Sequence, residues 1–154
     1  MAPESREGAA DLTHYAQFRA DPKSYHILLA LRILEAELQT GAALGRTRQP
    51  SQDGLRLGQD PELAFPGSAI SGYAPPEDGR PAQLRNLAFG FWGPHGPMPL
   101  HLTEYARERM RDHRDPTLTA FADMLTHRMM SLFYRAWAEA QPAPGLDRGP
   151  RASA

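Results

Sequence analysis

Asp115 to Ala140 reads DPTLTAFADMLTHRMMSLFYRAWAEA, and its periodicity decides the architecture. Asp115 is a fitting N-cap, and Pro116 suits the first helical position, where its missing N–H costs nothing. Leu118, Phe121, Leu125, Met129 and Leu132 then recur on one helical stripe, and Met130, Phe133 and Trp137 on a second. The spacing predicts one helix of roughly 24 residues, about 36 Å long. Its apolar surface is wider than one core needs, which assigns part of it to a partner.

Working upstream, LHLTEYARERMRD (Leu100–Asp112) predicts a second helix with Leu102, Tyr105, Ala106 and Met110 on one face. Glu104 and Glu108 stand at ion-pair spacing from Arg107, Arg109 and Arg111, each pair contributing only tenths of a kcal/mol. Before it, GFWGPHGPMP (Gly90–Pro99) forms a rigid turn, and LRNLAFGFW (Leu84–Trp92) reads as the best strand. Residues 60 to 81 hold Pro61, Pro66, Pro75, Pro76 and Pro81, so they should be extended or turned, with Phe65 and Ile70 as anchors. Leu55 and Leu57 flank Arg56 in a short strand candidate ending at Gly58, after a polar loop over 41–53. A first helix is expected from Asp21-Pro22, with Ile27, Leu31, Leu34 and Leu38 on one face, Leu29, Ile33 and Ala36 on another, and Gly41 as its stop.

These elements give an α+β fold, mainly helical, with long helices, a few short strands and Pro-rich extended segments. The expected organisation is a flexible N-terminal tail over 1–20, in which His14, Tyr15 and Phe18 could pack locally, one structured region over 21–140, and a disordered C-terminal tail over 141–154. Composition agrees. The 154 residues suit one domain. There is no Val and Ile occurs only at 27, 33 and 70, while Leu occurs 18 times, so extensive sheet is not expected.

The common chemistries lack their parts. With no cysteine there is no disulfide, thiolate metal site or cysteine nucleophile. The histidines at 14, 26, 95, 101, 113 and 127 contain no i, i+4 pair, and no HExxH occurs, so no metal site is expected. GSAISG (Gly67–Gly72) departs from the GxSxG nucleophile turn. In the Gly90–Pro99 turn the glycines fit no phosphate-binding spacing, and Pro94, Pro97 and Pro99 have no N–H to donate. The arginines at 107, 109, 111 and 114 alternate with acids and the net charge is −1, which argues against nucleic acid. No apolar run is long enough to span a bilayer and the first residues lack a signal-peptide core, which makes the cytoplasm the expected address. The reading is therefore of no catalytic residues and no cofactor. The alternatives are a small enzyme of unrecognised type, which would show a concave pocket with converging polar groups, or a nucleic-acid module, which would need a basic face. What remains is aromatic, Met and Arg enrichment of the kind that interface cores show. The expected partner contacts are Phe91, Trp92, Met130, Phe133 and Trp137, with His95 and Pro97 at the tip of the rigid turn.

Three segments carry a family resemblance: LRLGQDPELAFPGSAI (Leu55–Ile70), LAFGFWGPHGPMPLHLTEYARERMRDHRDPTLTAF (Leu87–Phe121) and HRMMSLFYRAWAEA (His127–Ala140). With YHILLALRILEAEL (Tyr25–Leu38), their order resembles the N-terminal half of the TssG family (also ImpH or VasB) of the bacterial type VI secretion system, over about residues 22 to 140. The resemblance implies a structural subunit of the baseplate wedge, packed with two copies of TssF and connected to TssK and TssE. It places the chain in the cytoplasm at the inner face of the envelope, where the baseplate supports the sheath and inner tube. It implies no catalysis, no cofactor and no membrane insertion. Family members are about twice this length, so the resemblance also implies a truncated, frameshifted or shortened paralogue, lacking contacts of the second half, some TssK attachment among them; a truncated non-functional paralogue is a further alternative.

Overall fold

The computed structural model describes residues 7–38, 43–49 and 52–141. Its elements run in the order α1 (Glu7–Ala20), a 3-10 turn (Pro22–Ser24), α2 (Ile27–Leu38), β1 (Leu55–Gln59), β2 (Ile70–Ala74), β3 (Ala82–Asn86), α3 (Leu100–Asp112) and α4 (Thr117–Glu139). The fold is α+β and mainly helical, as the spacing of its apolar residues predicts. The expected C-terminal tail beyond Gln141 and the stop at Gly41 lie outside the described residues.

Two expectations at the N-terminal end change. Where a tail or weak turn was expected, residues 7–20 are helical, and Phe18 is fully buried. Phe18 packs edge-on against Tyr25 at 5.4 Å and at a tilt against Tyr73 of β2 at 5.2 Å, while the Tyr15 and Tyr73 hydroxyls share a 3.0 Å hydrogen bond. Burial pushes the Tyr73 phenol well above its usual range, helped by Tyr15. Tyr15 and Phe18, through Tyr25 and Tyr73, thus anchor a helix whose own sequence is otherwise mostly small and polar. The expected single helix from Asp21 is split. Asp21 makes no side-chain cap, Tyr25 is extended, and α2 starts only at Ile27. The break lets Tyr25 reach Phe18.

The sheet has the order β1-β3-β2, with β1 parallel to β3 and β3 antiparallel to β2. Leu55 and Leu57 of β1 and Ala82 and Leu84 of β3 face the main core with Ile70, Leu31, Leu34, Met130 and Tyr134. β3 ends at Asn86, not at Trp92. The cause is the Asn86 side chain. Its carbonyl accepts the N–H groups of Ala88 (3.0 Å) and Phe89 (2.6 Å), which turns the chain out of the sheet, and its amide donates to Gly58 O (2.8 Å). β2 lies in the proline-rich stretch that was expected to be only extended or turned. It fits there because it is an edge strand between prolines.

β1 is the other edge, and α4 lies along it. The Leu57 N–H donates to His127 Nδ1 (3.2 Å) and the Gln59 N–H to Asp123 Oδ1 (2.9 Å). These amides point away from β3, and side chains of α4 satisfy them in place of another strand. Arg85 of β3 ties the arrangement together. It pairs with Asp123, with Asp60 at 2.8 Å, and with Gln59 O at 2.6 Å.

The α3–α4 corner is closed by Asp115. Its carboxylate accepts from the Thr117 hydroxyl (2.6 Å) and N–H (3.0 Å) and from Arg109, while its own N–H donates to Arg109 O (2.9 Å). The helix starts one residue later than the sequence suggested, with Pro116 and not Asp115 at the N-cap position, so Asp115 stands just before the cap and takes the Thr117 N–H from there. The Thr117 and Arg109 contacts hold its carboxyl well below the usual aspartate range. The charges of α3 are spent mainly outside the helix, with Arg107 on Glu62 (3.4 Å) and Arg109 on Asp115. Because the folded-state pKa of Asp115 is depressed, the corner is fully stabilised above the ordinary aspartate range, and the contribution fades as pH falls through the lowered value. Asp115→Asn is expected to lower the melting temperature at pH 7. Thermal melts down the acid range should show the gap from the parent chain closing only below the ordinary aspartate pKa.

Candidate functional site: an outward apolar face on the last helix

The faces of α4 are used in an unusual way. The inward positions include Thr119, Ala122, Thr126, His127, Ser131 and Ala138, which are small or polar, with Met130 and Tyr134 as the large members. Outward stand Phe121, Met124, Leu125, Met129, Leu132 and Phe133, between 41% and 62% exposed. The inversion follows from what α4 covers. A helix laid on the face of a sheet buries an apolar stripe, but one laid along a strand edge must bring acceptors and donors for the strand's amides. His127 and Asp123 occupy that side, and the apolar residues are left outside.

Arg128 shares the outward face, but its guanidinium turns back to the Thr47 carbonyl at 3.4 Å. Further exposed apolar residues cluster elsewhere. Phe65 packs on His95 at 5.3 Å beside the rigid turn, and Leu100 opens α3. On α2, Leu29, Ile33 and Ala36 line a groove of about 240 Å³ with His14, Tyr25 and Glu37. The second stripe of α2 therefore lies at the surface, while Ala30, Leu31 and Leu34 enter the core.

The rigid turn is held from inside by Gln59. Its amide donates to Trp92 O (2.8 Å) and accepts the Trp92 N–H (2.8 Å), as a neighbouring strand would. Gly93 N–H donates to Thr103 Oγ1 (3.2 Å), and Met98 N–H to Phe91 O (3.2 Å). Two glycines are required here. Gly90 has φ +143° and a Cβ would strike the Gln59 side chain, and at Gly96 a Cβ would meet the carbonyls of Phe91 and Trp92.

The residues expected at a partner interface separate into two groups. Phe133 is exposed and stacks on Phe89 at 5.7 Å. Phe91 and Trp137 are half-buried, the latter against Tyr134 at 5.8 Å. His95 and Pro97 are exposed at the turn. Trp92 and Met130, expected to face a partner, lie instead inside this chain, 3% and 4% exposed. Trp92 packs with Ala106 and Ala122 where α3 meets α4, and Met130 Sδ receives the Asn86 amide at 3.4 Å. Phe121, Leu125, Met129 and Leu132 of the outward ridge were visible in the sequence as part of one stripe with Leu118, but not as the exposed side, and Met124 was not assigned to it.

The arrangement nearest to a catalytic pair is His127 with Asp53, Nε2 to Oδ2 at 2.8 Å. Leu57 N–H already occupies Nδ1, so Nε2 carries the proton and donates to Asp53, whose other oxygen accepts from Thr47 at 2.7 Å. Both residues are buried and every ring nitrogen is engaged. The pair is a structural lock that ties Thr47 and Asp53 to β1 and α4.

An exposed apolar face of this kind marks a protein contact. The family model "Type VI secretion, TssG" matches residues 21–154, beyond the 22–140 span read from motifs. The chain belongs to this family of type VI secretion proteins. No curated protein and no solved structure matches it significantly. Among the described residues no helix is long and apolar enough to cross a membrane.

Two substitutions test this architecture. His127→Leu leaves the Leu57 amide and Asp53 without their partner and should cost about 2–4 kcal/mol in urea unfolding. Gln59→Leu should cost about 2 kcal/mol by the same measurement and raise hydrogen exchange at the Trp92 amide.

Proposed function

We propose that the chain is a structural, non-catalytic subunit of the type VI secretion baseplate wedge. It packs with TssF-like subunits, two copies per chain, and connects to TssK and TssE in supporting sheath and tube assembly. It works in the cytoplasm, at the inner face of the envelope. The observation that carries this reading is the ridge on α4: six large apolar side chains stand outward on a helix whose other side is fixed by hydrogen bonds to β1. Contiguous exposed apolar surface of this kind marks a protein contact. Phe91 and Trp137, with His95 and Pro97 at the stiff turn, extend the proposed contact surface beyond the ridge and its Phe133.

Co-expression with a TssF-like subunit, followed by affinity capture, is the direct test. Leu125→Ser with Met129→Ser should reduce capture by about ten-fold or more, as loss of hot-spot contacts does. The melting temperature of the chain itself should hold or rise, since neither side chain belongs to its core. Undiminished capture, or no capture by the unaltered chain, would remove the proposal.

A further inference from the structure

The α4 ridge is nearly symmetric along its own length. Phe121, Leu125, Met129 and Phe133 follow at intervals of four, so an aromatic, two aliphatic residues and an aromatic read alike in both directions about position 127. All four are about half exposed. Residues at i, i+4 form a ridge that packs beside the same ridge of another helix. A two-fold axis near position 127 would set Leu125 beside Met129 of the second copy, and Phe121 beside its Phe133. Such a contact is isologous and closes on itself.

Charge permits the pairing. Arg128 is the charged residue within the ridge, and it is drawn away to the Thr47 carbonyl, so two copies meet without opposing like charges. Area permits it too. With Met124 and Leu132, the exposed apolar surface is on the order of 600 Å² per copy, near the roughly 800 Å² per partner of a standard interface.

The geometry points to a second copy of this chain as the occupant of the α4 face before assembly, in an antiparallel dimer of α4 helices. This rests on the assignment of that face as the partner contact. A TssF-like subunit would have to displace the second copy, so self-association sets a threshold for incorporation.

The test uses the full chain, which has no native cysteine. Leu125→Cys and Met129→Cys chains are prepared separately, mixed and mildly oxidised. The mixture is expected to cross-link at least about ten-fold faster than either variant alone, since only unlike positions meet across the axis. Sedimentation of the unaltered chain should give a dimer, and Met129→Glu should raise its dissociation constant by about ten-fold or more without lowering the melting temperature. A monomer at every concentration, faster cross-linking between like positions, or open-ended growth with concentration would each overturn the proposal. If Met129→Glu abolishes capture by a TssF-like subunit while the unaltered chain stays monomeric, the dimer is lost and the subunit assignment stands.

Discussion

The structure depends on how the free edge of β1 is closed. A strand edge leaves amides that must find partners, and here His127 and Asp123 of α4 supply them to Leu57 and Gln59. Other features follow. Because α4 must bring hydrogen-bonding groups to this edge, His127 and Asp123 stand on its inner side among mostly small residues, with few large apolar ones. Because Asp123 sits at that edge, Arg85 can bridge it to Asp60 and lock β3 into the same network. Because Gln59 ends the sealed strand, its side chain is free to act as a surrogate strand for the Gly90–Pro99 turn.

Two apolar clusters are joined by this polar layer. The main one gathers α1, α2, the sheet and the second half of α4, around Phe18, Leu34, Ile70 and Tyr134. A smaller one, centred on Trp92, Ala106 and Ala122, holds α3 to the first half of α4. Met130 touches both the polar layer and the main core, through Asn86 and its buried position. A helix pinned so firmly on one side presents its other side as a rigid surface, which lowers the entropy lost when a partner binds there.

The helices α3 and α4 were legible because their apolar periodicity is long and a proline stands at each start. The family was legible because the Leu87–Phe121 run is far more specific than any composition. Three things were not. The helix α1 is polar in sequence and is held by Phe18, Tyr15 and their distant contacts with Tyr25 and Tyr73, which no local pattern contains. The end of β3 was hidden because LRNLAFGFW looks like a continuous strand until the Asn86 side chain is seen to capture two amides beyond it. The inside and outside of α4 could not be told apart. Hydrophobicity alone would bury Phe121 and Leu125 and expose His127, and the reverse holds because the helix meets an edge and not a sheet face. Met130 read as a contact residue for the same reason, and Trp92 because its aromatic type says nothing of the α3–α4 cluster that encloses it. Asp123, Gln59 and Asn86 gave no sequence signal for their long-range contacts, since each reaches a residue at least 28 positions away.

The occupied edge of β1 has one more consequence, for the manner in which neighbours can attach. On that side, extension of the sheet by β-augmentation is closed off, because the main-chain groups such a guest would bind are already spent on an imidazole and a carboxylate. Recruitment there has to proceed through side chains packed against side chains. Contacts of that kind are read by shape and are tunable one residue at a time, whereas main-chain pairing accepts almost any extended peptide. The same closure removes a template for runaway cross-β growth from a chain that carries much exposed hydrocarbon.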